Sequence, residues 1–402
     1  MVLRSAGGLA SVALLLSQTA VYGRTVGVLA IPEQDVQEIK LSTAPILEIG
    51  REGDPAFEFT TISGVRLLGD GSVVVGDEDA REIRVFGADG THLVTLGGVG
   101  DGPGEFRSLN GLWTEGDVGI GAWDAENQRI TIFSVHGRVP TIKAGQLNVP
   151  SRAGMGNPPE AFVGVFANGD VVLASLAFGA STGTGVVPDR WTLGRFGSDG
   201  SFQEVLGELR GMRRLRRFPL PFSPVPHVAV TGDRVLAADG YDGTVRVAGA
   251  ADDSGTEFAL PPRSDNTPGV AEAWAALRTE LEANGGNLFL ERMRGMPRPE
   301  VFPEVGDMLS PKRLAGVGVG ALWVRRFDPL VDSIWLGAVR RTGSGEEWTV
   351  FDAGGTVIHV VRVPDGFIPM HVVGDRVAGI TIGLFGVERV AVYAIDGELR
   401  GS

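Results

Sequence analysis

The chain has 402 residues, a formal net charge of −13 and no cysteine. That balance excludes disulfides and a lipid-modified cysteine anchor, and it argues against nucleic acid as a partner, because an anionic surface repels phosphates. The length allows two or three ordinary domains or one large β architecture. The 60 glycines among many short apolar runs favour strands joined by tight turns.

The first residues read as a signal peptide. Arg4 supplies a positive start, and Leu9 to Leu16, "LASVALLL", is an apolar core too short to span a bilayer. Val21 and Gly23 place small residues ahead of a cleavage site after Gly23. Residues 1–23 are therefore expected to be a leader, residues 36–402 the folded unit, and the location periplasmic or extracellular. No other apolar run is long enough to cross a membrane. An exported chain without disulfides must be held by its core and by closure of its sheets; a monomer is expected.

An internal repeat decides the fold. "LEIGREGDPAFEFTTISGVRLLGDGSVVVGDEDAREIRVF", from Leu47, superposes without a gap on "VTLGGVGDGPGEFRSLNGLWTEGDVGIGAWDAENQRITIF", from Val94. Gly50 falls on Gly97, Asp54 on Asp101, Phe59 on Phe106, Asp77 on Asp124 and Phe86 on Phe133, each 47 residues apart. That period is the length of a four-stranded propeller blade. Within the unit, Val65–Leu68, Ser72–Gly76, Arg81–Phe86 and Thr91–Leu96 read as strands, separated by turns such as Gly69-Asp70-Gly71 and Ala88-Asp89-Gly90.

Weaker copies follow. A third blade combines "EAFVGVFANGDVVLAS" and "RWTLGRFGSDGSFQEVLG" around a loop from Leu176 to Asp189. "PHVAVTGDRVLAADGYDGTVRVAG" begins a fourth, "GALWVRRF" with "EEWTVFDAGGTVIHVVRVP" gives a fifth, and "PMHVVGDRVAGITIGLFGVERVAVYAIDG" a sixth. The sixth has three strands, and Ile39 to Ile49 is expected to complete it, which closes the ring and removes open edges. The fold class is thus all-β: a six-bladed β-propeller of four-stranded blades, closed by an N-terminal strand. Between blades four and five, "VAEAWAALRTELEA" has helical spacing, so a small helical insertion is expected at about 268–298.

"GPGEF" followed by "LNGLW…GDVGIGAWDAENQRITIF" resembles the NHL repeat pattern, with Asn127, Arg129, Ile130 and Phe133 matching around an inserted Gln128. The C-terminal part is similar to the bacterial secreted six-bladed TolB-like propellers. Together the resemblance covers about Ile46 to Leu399 and departs from the group in the long segment Asp328 to Glu347. It implies the fold and leaves function open, since this architecture hosts binding proteins and enzymes alike.

Three glycine-rich motifs fail on context. "GVGDGPGEF" lacks a Gly-Lys-Ser/Thr ending and precedes a strand, whereas phosphate binding uses a helix N-terminus. Gly316 to Ala321 likewise precedes a strand. Gly179-Ala180-Ser181-Thr182-Gly183 has the spacing of a nucleophile elbow, but Gly185 and Pro188 follow where a helix would have to start.

Acidic loops are the next candidates. Asp77, Asp124 and Asp239 follow second strands and would share one face of the ring, where carboxylates from several blades suit Ca²⁺. Asn127 lies in the same loops. His227 and His371, each placed just before a first strand, and Tyr241, Arg325 and Arg326 are expected at the same mouth as ligand-binding residues. The one basic run, "RGMRRLRRF", carries Arg210, Arg213 and Arg214 and reads as a connector between blades three and four, suited to an acidic protein or an anionic glycan. No sharp catalytic constellation is present. The reading is a secreted non-catalytic binding or scaffold propeller without an obligatory cofactor; the alternative is a metal-assisted hydrolase, lactonase or lyase using the mouth carboxylates.

Overall fold

Six sheets each lay four blade strands side by side from the inner edge outward, and three of the sheets carry a fifth strand at an edge. They are seen in a computed structural model that describes residues 37–116, 119–136, 139–148, 155–179, 185–215, 218–220, 223–239, 241, 244–249, 256–259, 275, 279, 283, 305–309, 312–314, 322–326, 347–351, 356–382 and 387–395. All belong to one compact unit, Ile31–Ser402. The expected leader lies outside the described residues, as does most of the insertion. Of the latter, Ala275, Thr279 and Ala283 are helical and exposed, and the Thr279 hydroxyl donates to the Ala275 carbonyl at 2.9 Å. Among the described residues no helix is long and apolar enough to cross a membrane.

Blade one is the strands Ile62–Leu67, Val73–Asp77, Glu82–Phe86 and His92–Gly97, all antiparallel. Blade two repeats it as Gly111–Glu115, Gly119–Asp124, Arg129–His136 and Val139–Asn148. Second strands are buried along their whole length in both blades, because a neighbouring blade covers each face of the sheet. This is why "VVVGD" and "GIGAWD" read as continuous small or apolar runs rather than alternating ones.

The core is divided by the seams. One apolar cluster fills each junction between consecutive blades: Leu68, Val74 and Phe106 between one and two, Trp113, Trp123 and Phe196 between two and three. Leu193, Val235 and Ala237 lie between three and four, and Leu236, Val245 and Phe351 between four and five. Trp348, Phe367 and Tyr393 lie between five and six, and Ile49, Val65 and Ile380 between six and one. Six seams close a ring. The chain is a six-bladed β-propeller.

The crossing "GVGDGPGEF" carries the chain from the outer edge of blade one to the inner strand of blade two. Gly97 has a φ of +95°, and a Cβ there would stand 2.7 Å from the Arg81 carbonyl and against the Phe106 ring. Phe106 is fully buried in the seam, with its N–H donating to the Gly98 carbonyl at 2.8 Å.

Closure differs from expectation in one respect. Leu47–Ile49 does complete blade six, antiparallel to Glu388–Ala394. The segment before it instead crosses the seam: Gln37–Lys40 runs parallel to Val357–Arg362 on the outer edge of blade five. The N-terminal segment therefore staples two blades. Blade five also has an inner strand that the sequence reading missed, Val305–Leu309, so "GALWVRRF" supplies its second strand, Leu322–Arg326. A short strand, Lys312–Leu314, then runs parallel to Phe367–Gly374 of blade six.

Blade three departs most from the pattern. Its third and fourth strands, Val186–Phe196 and Phe202–Leu215, have 11 and 14 residues and form a hairpin arm much longer than the blade needs. Phe218–Pro219 pairs back onto its end. The loop expected from Leu176 to Asp189 is correspondingly short, and Arg210, Arg213 and Arg214 of the basic run expected to be a connector lie in the arm, its Arg216 and Arg217 lying outside the described residues. Arg210, Arg213 and Arg214 themselves pair with Arg190, Pro188 and Val187 across the hairpin, which gives them a sheet partner that a connector would lack.

Ile49 seals the closing seam and is 1% exposed. Ile49→Ala is expected to cost about 2–5 kcal/mol, the usual penalty for truncating a buried isoleucine, read as a lowered urea midpoint. Ile46→Ala, at 51% exposure, is expected to leave the midpoint unchanged.

Candidate functional site

The aspartates that end the second strands are oxygen acceptors for the fold. Asp77 is fully buried and accepts from the main-chain N–H groups of Thr60 at 3.1 Å, Thr61 at 3.4 Å and Ala80 at 3.2 Å. Asp124 accepts from Arg107 N at 3.1 Å, Ser108 N at 3.2 Å and Asn127 N at 3.1 Å, three donors displaced by the same 47-residue repeat. Asn127 adds its side-chain N–H to Asp124 at 2.9 Å, so it braces this loop. Each carboxylate thereby joins the incoming connector to the loop leading into the third strand.

A buried guanidinium completes each brace. Arg84 lies 3.8 Å from Asp77 and Arg129 lies 3.6 Å from Asp124. Arg84 also donates to the Glu58 carbonyl, and Arg129 to the Glu105 carbonyl, again 47 residues apart. The two arginines are not equivalent in sequence: Arg84 aligns with Thr131 and Arg129 with Glu82. Positions two apart on a strand share a face, so one guanidinium site is filled from two registers.

Blade four diverts the same device outward. Asp239 accepts from Tyr241 N at 3.2 Å and has Arg246 at 4.0 Å, but its closest cation is Arg210, at 2.7 Å, from the arm of blade three. Arg246 also pairs with Glu257 at 3.3 Å. Arg210 stands over the Tyr241 ring, 4.4 Å from its centroid, and the Tyr241 hydroxyl donates to the Gly211 carbonyl at 2.8 Å. A β-bulge between the pairs Pro188–Arg213 and Arg190–Arg210 lies opposite Asp189 and re-aims the side chains beyond it. Asp189, buried, accepts from Arg214 Nε at 2.7 Å and Gly179 N at 2.7 Å. The Arg214 guanidinium covers the ring of Phe178 at 4.7 Å, and Phe178 is 61% exposed.

Arg210, Arg213, Arg214 and Tyr241 therefore gather on the arm-bearing end of blades three and four. Burial pushes the Tyr241 phenol up to about 12, against the pull of Arg213 and Arg210 toward ionisation. Of the cluster, the sequence reading missed Asp189, Phe178 and Arg246. Asp189 looked like the end of a loop, and only the strand pairing sets it beside Arg214.

The remaining candidates are spread out. His227 opens the first strand of blade four, His227–Thr231, with its Cα paired to Ala238, next to Asp239. His371 does not precede a first strand: it lies inside Phe367–Gly374, buried, where Nδ1 accepts the Leu67 N–H of blade one at 2.9 Å. Its polar ring is spent on the seam because Leu67 N sits on a strand edge with no sheet partner. Arg325 and Arg326 end the second strand of blade five, topologically where Asp77 ends that of blade one; their side chains lie outside the described residues. Asp77 and Asp124 each serve their own blade, Asp239 couples blade four to the arm of blade three, and among the described residues no three His, Asp or Glu side chains gather as metal ligands.

No protein-family model and no curated protein matches the chain. Among solved structures it is similar to a member of the DUF4221 family from Bacteroides vulgatus, at 10% identity over 90% of this chain and 99% of that one, with a TM-score of 0.47. A protein described as a candidate exported protein of Bacteroides fragilis gives 10% identity, 89% and 99% coverage and a TM-score of 0.45. A virginiamycin B lyase from Staphylococcus aureus gives 13% identity, 88% and 89% coverage and a TM-score of 0.41. The six-blade architecture rests on the strand order and the six seams.

Asp124→Ala is expected to cost about 3–5 kcal/mol, because it strands Arg129 and three main-chain donors in a buried site; Asp101→Ala, which removes an exposed partner of Arg107, is expected to leave the urea midpoint unchanged. A spectroscopic titration is expected to show a phenol ionising near 12 that Tyr241→Phe removes. The stability due to Tyr241 is present below about pH 10 and lost as pH rises through about 12, since the unfolded phenol ionises first.

Proposed function

We propose that the chain is an exported, non-catalytic binding propeller whose ligand docks on the arm-bearing end of blades three and four. The observation that carries this reading is the arm. A hairpin longer than its blade requires brings Arg210, Arg213 and Arg214 beside Tyr241 and the exposed Phe178. Arginine and tyrosine flanked by an exposed aromatic ring are the side chains that dominate binding energy at protein surfaces. Guanidinium groups set in an otherwise acidic chain favour an anionic ligand, an acidic protein or an anionic glycan.

The export part of the reading rests on the N-terminal sequence, Arg4 and the apolar core Leu9–Leu16. A periplasmic or extracellular propeller of the NHL or TolB-like kind accords with it. The reading requires no cofactor. The hydrolase alternative depends on Asp77, Asp124 and Asp239, and the hydrogen bonds that these carboxylates accept leave that alternative without an observation in its favour.

The test is retention of the full mature chain on immobilised heparin, a sulfated glycan, at increasing salt. Retention that weakens with salt is expected, with apparent affinity falling about tenfold, about 1.4 kcal/mol, in each of Arg213→Ala and Phe178→Ala. Equal retention of the wild type and both variants would contradict the assignment.

A further inference from the structure

Two aromatic rings on the arm-bearing end are held by the same three-part device. In each, a buried carboxylate fixes a guanidinium through its Nε, and the guanidinium lies over a ring. Asp239 accepts from Arg210 Nε at 2.7 Å, and Arg210 stands 4.4 Å from the Tyr241 centroid. Asp189 accepts from Arg214 Nε at 2.7 Å, and Arg214 stands 4.7 Å from the Phe178 centroid.

The two stacks face solvent in opposite senses. In the first the cation is outermost: the Arg210 side chain is 52% exposed, with the half-buried Tyr241 ring behind it. In the second the ring is outermost: Phe178 is 61% exposed and the Arg214 side chain only 11%. The surface therefore offers a cation at one station and an aromatic face at the other. A carboxylate that the fold has buried pins each of them.

The arm fixes the spacing of the stations. Arg210 and Arg214 lie on one extended strand, Phe202–Leu215, at most about 13 Å apart along it. The backbone between them is tightly packed. The Tyr241 hydroxyl donates to the Gly211 carbonyl at 2.8 Å, and an added Cβ at Gly211 would stand 3.0 Å from both the Trp191 ring and Asp189 Cβ. The stations are contiguous as well: burial is the main cause that raises the Tyr241 pKa, and the charges of Asp239 and Asp189 both add to it.

This presentation selects a ligand. A guanidinium held flat on a ring keeps its N–H edge for a two-oxygen anion. The electron-rich face of an exposed phenyl ring takes polarised C–H groups against it, which suits the flat face of a sugar. A lone anion would engage the first station only. A chain of sugars carrying acidic groups engages both, and rigidly held stations cost it little ordering.

We propose that the arm binds an acidic oligosaccharide of more than two sugar units, with a carboxylate or sulfate on Arg210 and a sugar ring on Phe178. This rests on the arm being the binding surface and chooses among the anionic ligands that reading left open.

Calorimetric titration of the full chain at one ionic strength tests it, with a heparin disaccharide, a heparin hexasaccharide and a polyglutamate of the hexasaccharide's charge as probes. The hexasaccharide is expected to bind at least about tenfold more tightly than the disaccharide, because it can reach both stations. Arg210→Ala and Phe178→Ala are each expected to reduce the hexasaccharide to the affinity of the disaccharide. Phe178→Ala is the sharper of the two, since it alters no charge and removes an exposed ring. Polyglutamate is expected to bind at least about tenfold more weakly than the hexasaccharide, having no sugar face for the second station. Equal affinity for the two saccharides, or a hexasaccharide preference that survives Phe178→Ala, would overturn the proposal while leaving the arm as the binding surface. Polyglutamate binding as tightly as the hexasaccharide would assign an acidic protein instead. Hexasaccharide binding that neither substitution alters would overturn the arm itself. Should Arg210→Ala fail to fold, Phe178→Ala decides on the same terms.

Discussion

Blades one, two and four depend on a buried carboxylate at the end of the second strand, Asp77, Asp124 and Asp239. A sheet stacked between two others must turn twice on the same rim, once to enter its third strand and once to receive the connector. Both turns leave main-chain N–H groups out of reach of water. In blades one and two, Asp77 and Asp124 accept those groups three at a time, and Arg84 and Arg129 neutralise them. The arrangement is held by the saturation of both carboxylates with main-chain donors, while Arg129 Nε is left buried without a hydrogen-bond partner.

Blade four uses the same carboxylate for another purpose. Asp239 keeps its loop N–H from Tyr241 but takes its strongest cation from the neighbouring arm. A residue that elsewhere stabilises one blade here couples two, and the coupling holds Arg210 and Tyr241 in a fixed pair at the surface. A pair held in this way would lose little freedom on binding a ligand. The arm is thus attached to the ring through an interaction the fold already required.

The repeat was legible because the turns of blades one and two demand particular residues. Gly97 must be glycine where φ is +95° and Phe106 presses on it, and the aspartates must accept main-chain donors; both constraints leave the same letters 47 residues apart. Other parts left no such mark. Arg81 and Gln128 occupy equivalent positions at φ values of 56° and 49°, yet nothing about either residue type announces that backbone. Arg84 and Arg129 fill one site from two registers, so alignment hides their common role. The arm was misread because arginines resemble a solvated connector until the partner strand Val186–Phe196 is seen beside them. Acidic loops suggested calcium because carboxylates that accept from the main chain and carboxylates that ligate a cation are the same residues in sequence.

Amide hydrogen exchange of the full chain, with and without soluble heparin, tests most directly whether the arm is the working surface. The account predicts slowed exchange confined to the arm strands Val186–Phe196 and Phe202–Leu215 and to Tyr241 with the strand that follows it. Slowed exchange centred on the rims of blades one and two, with the arm unchanged, would contradict it.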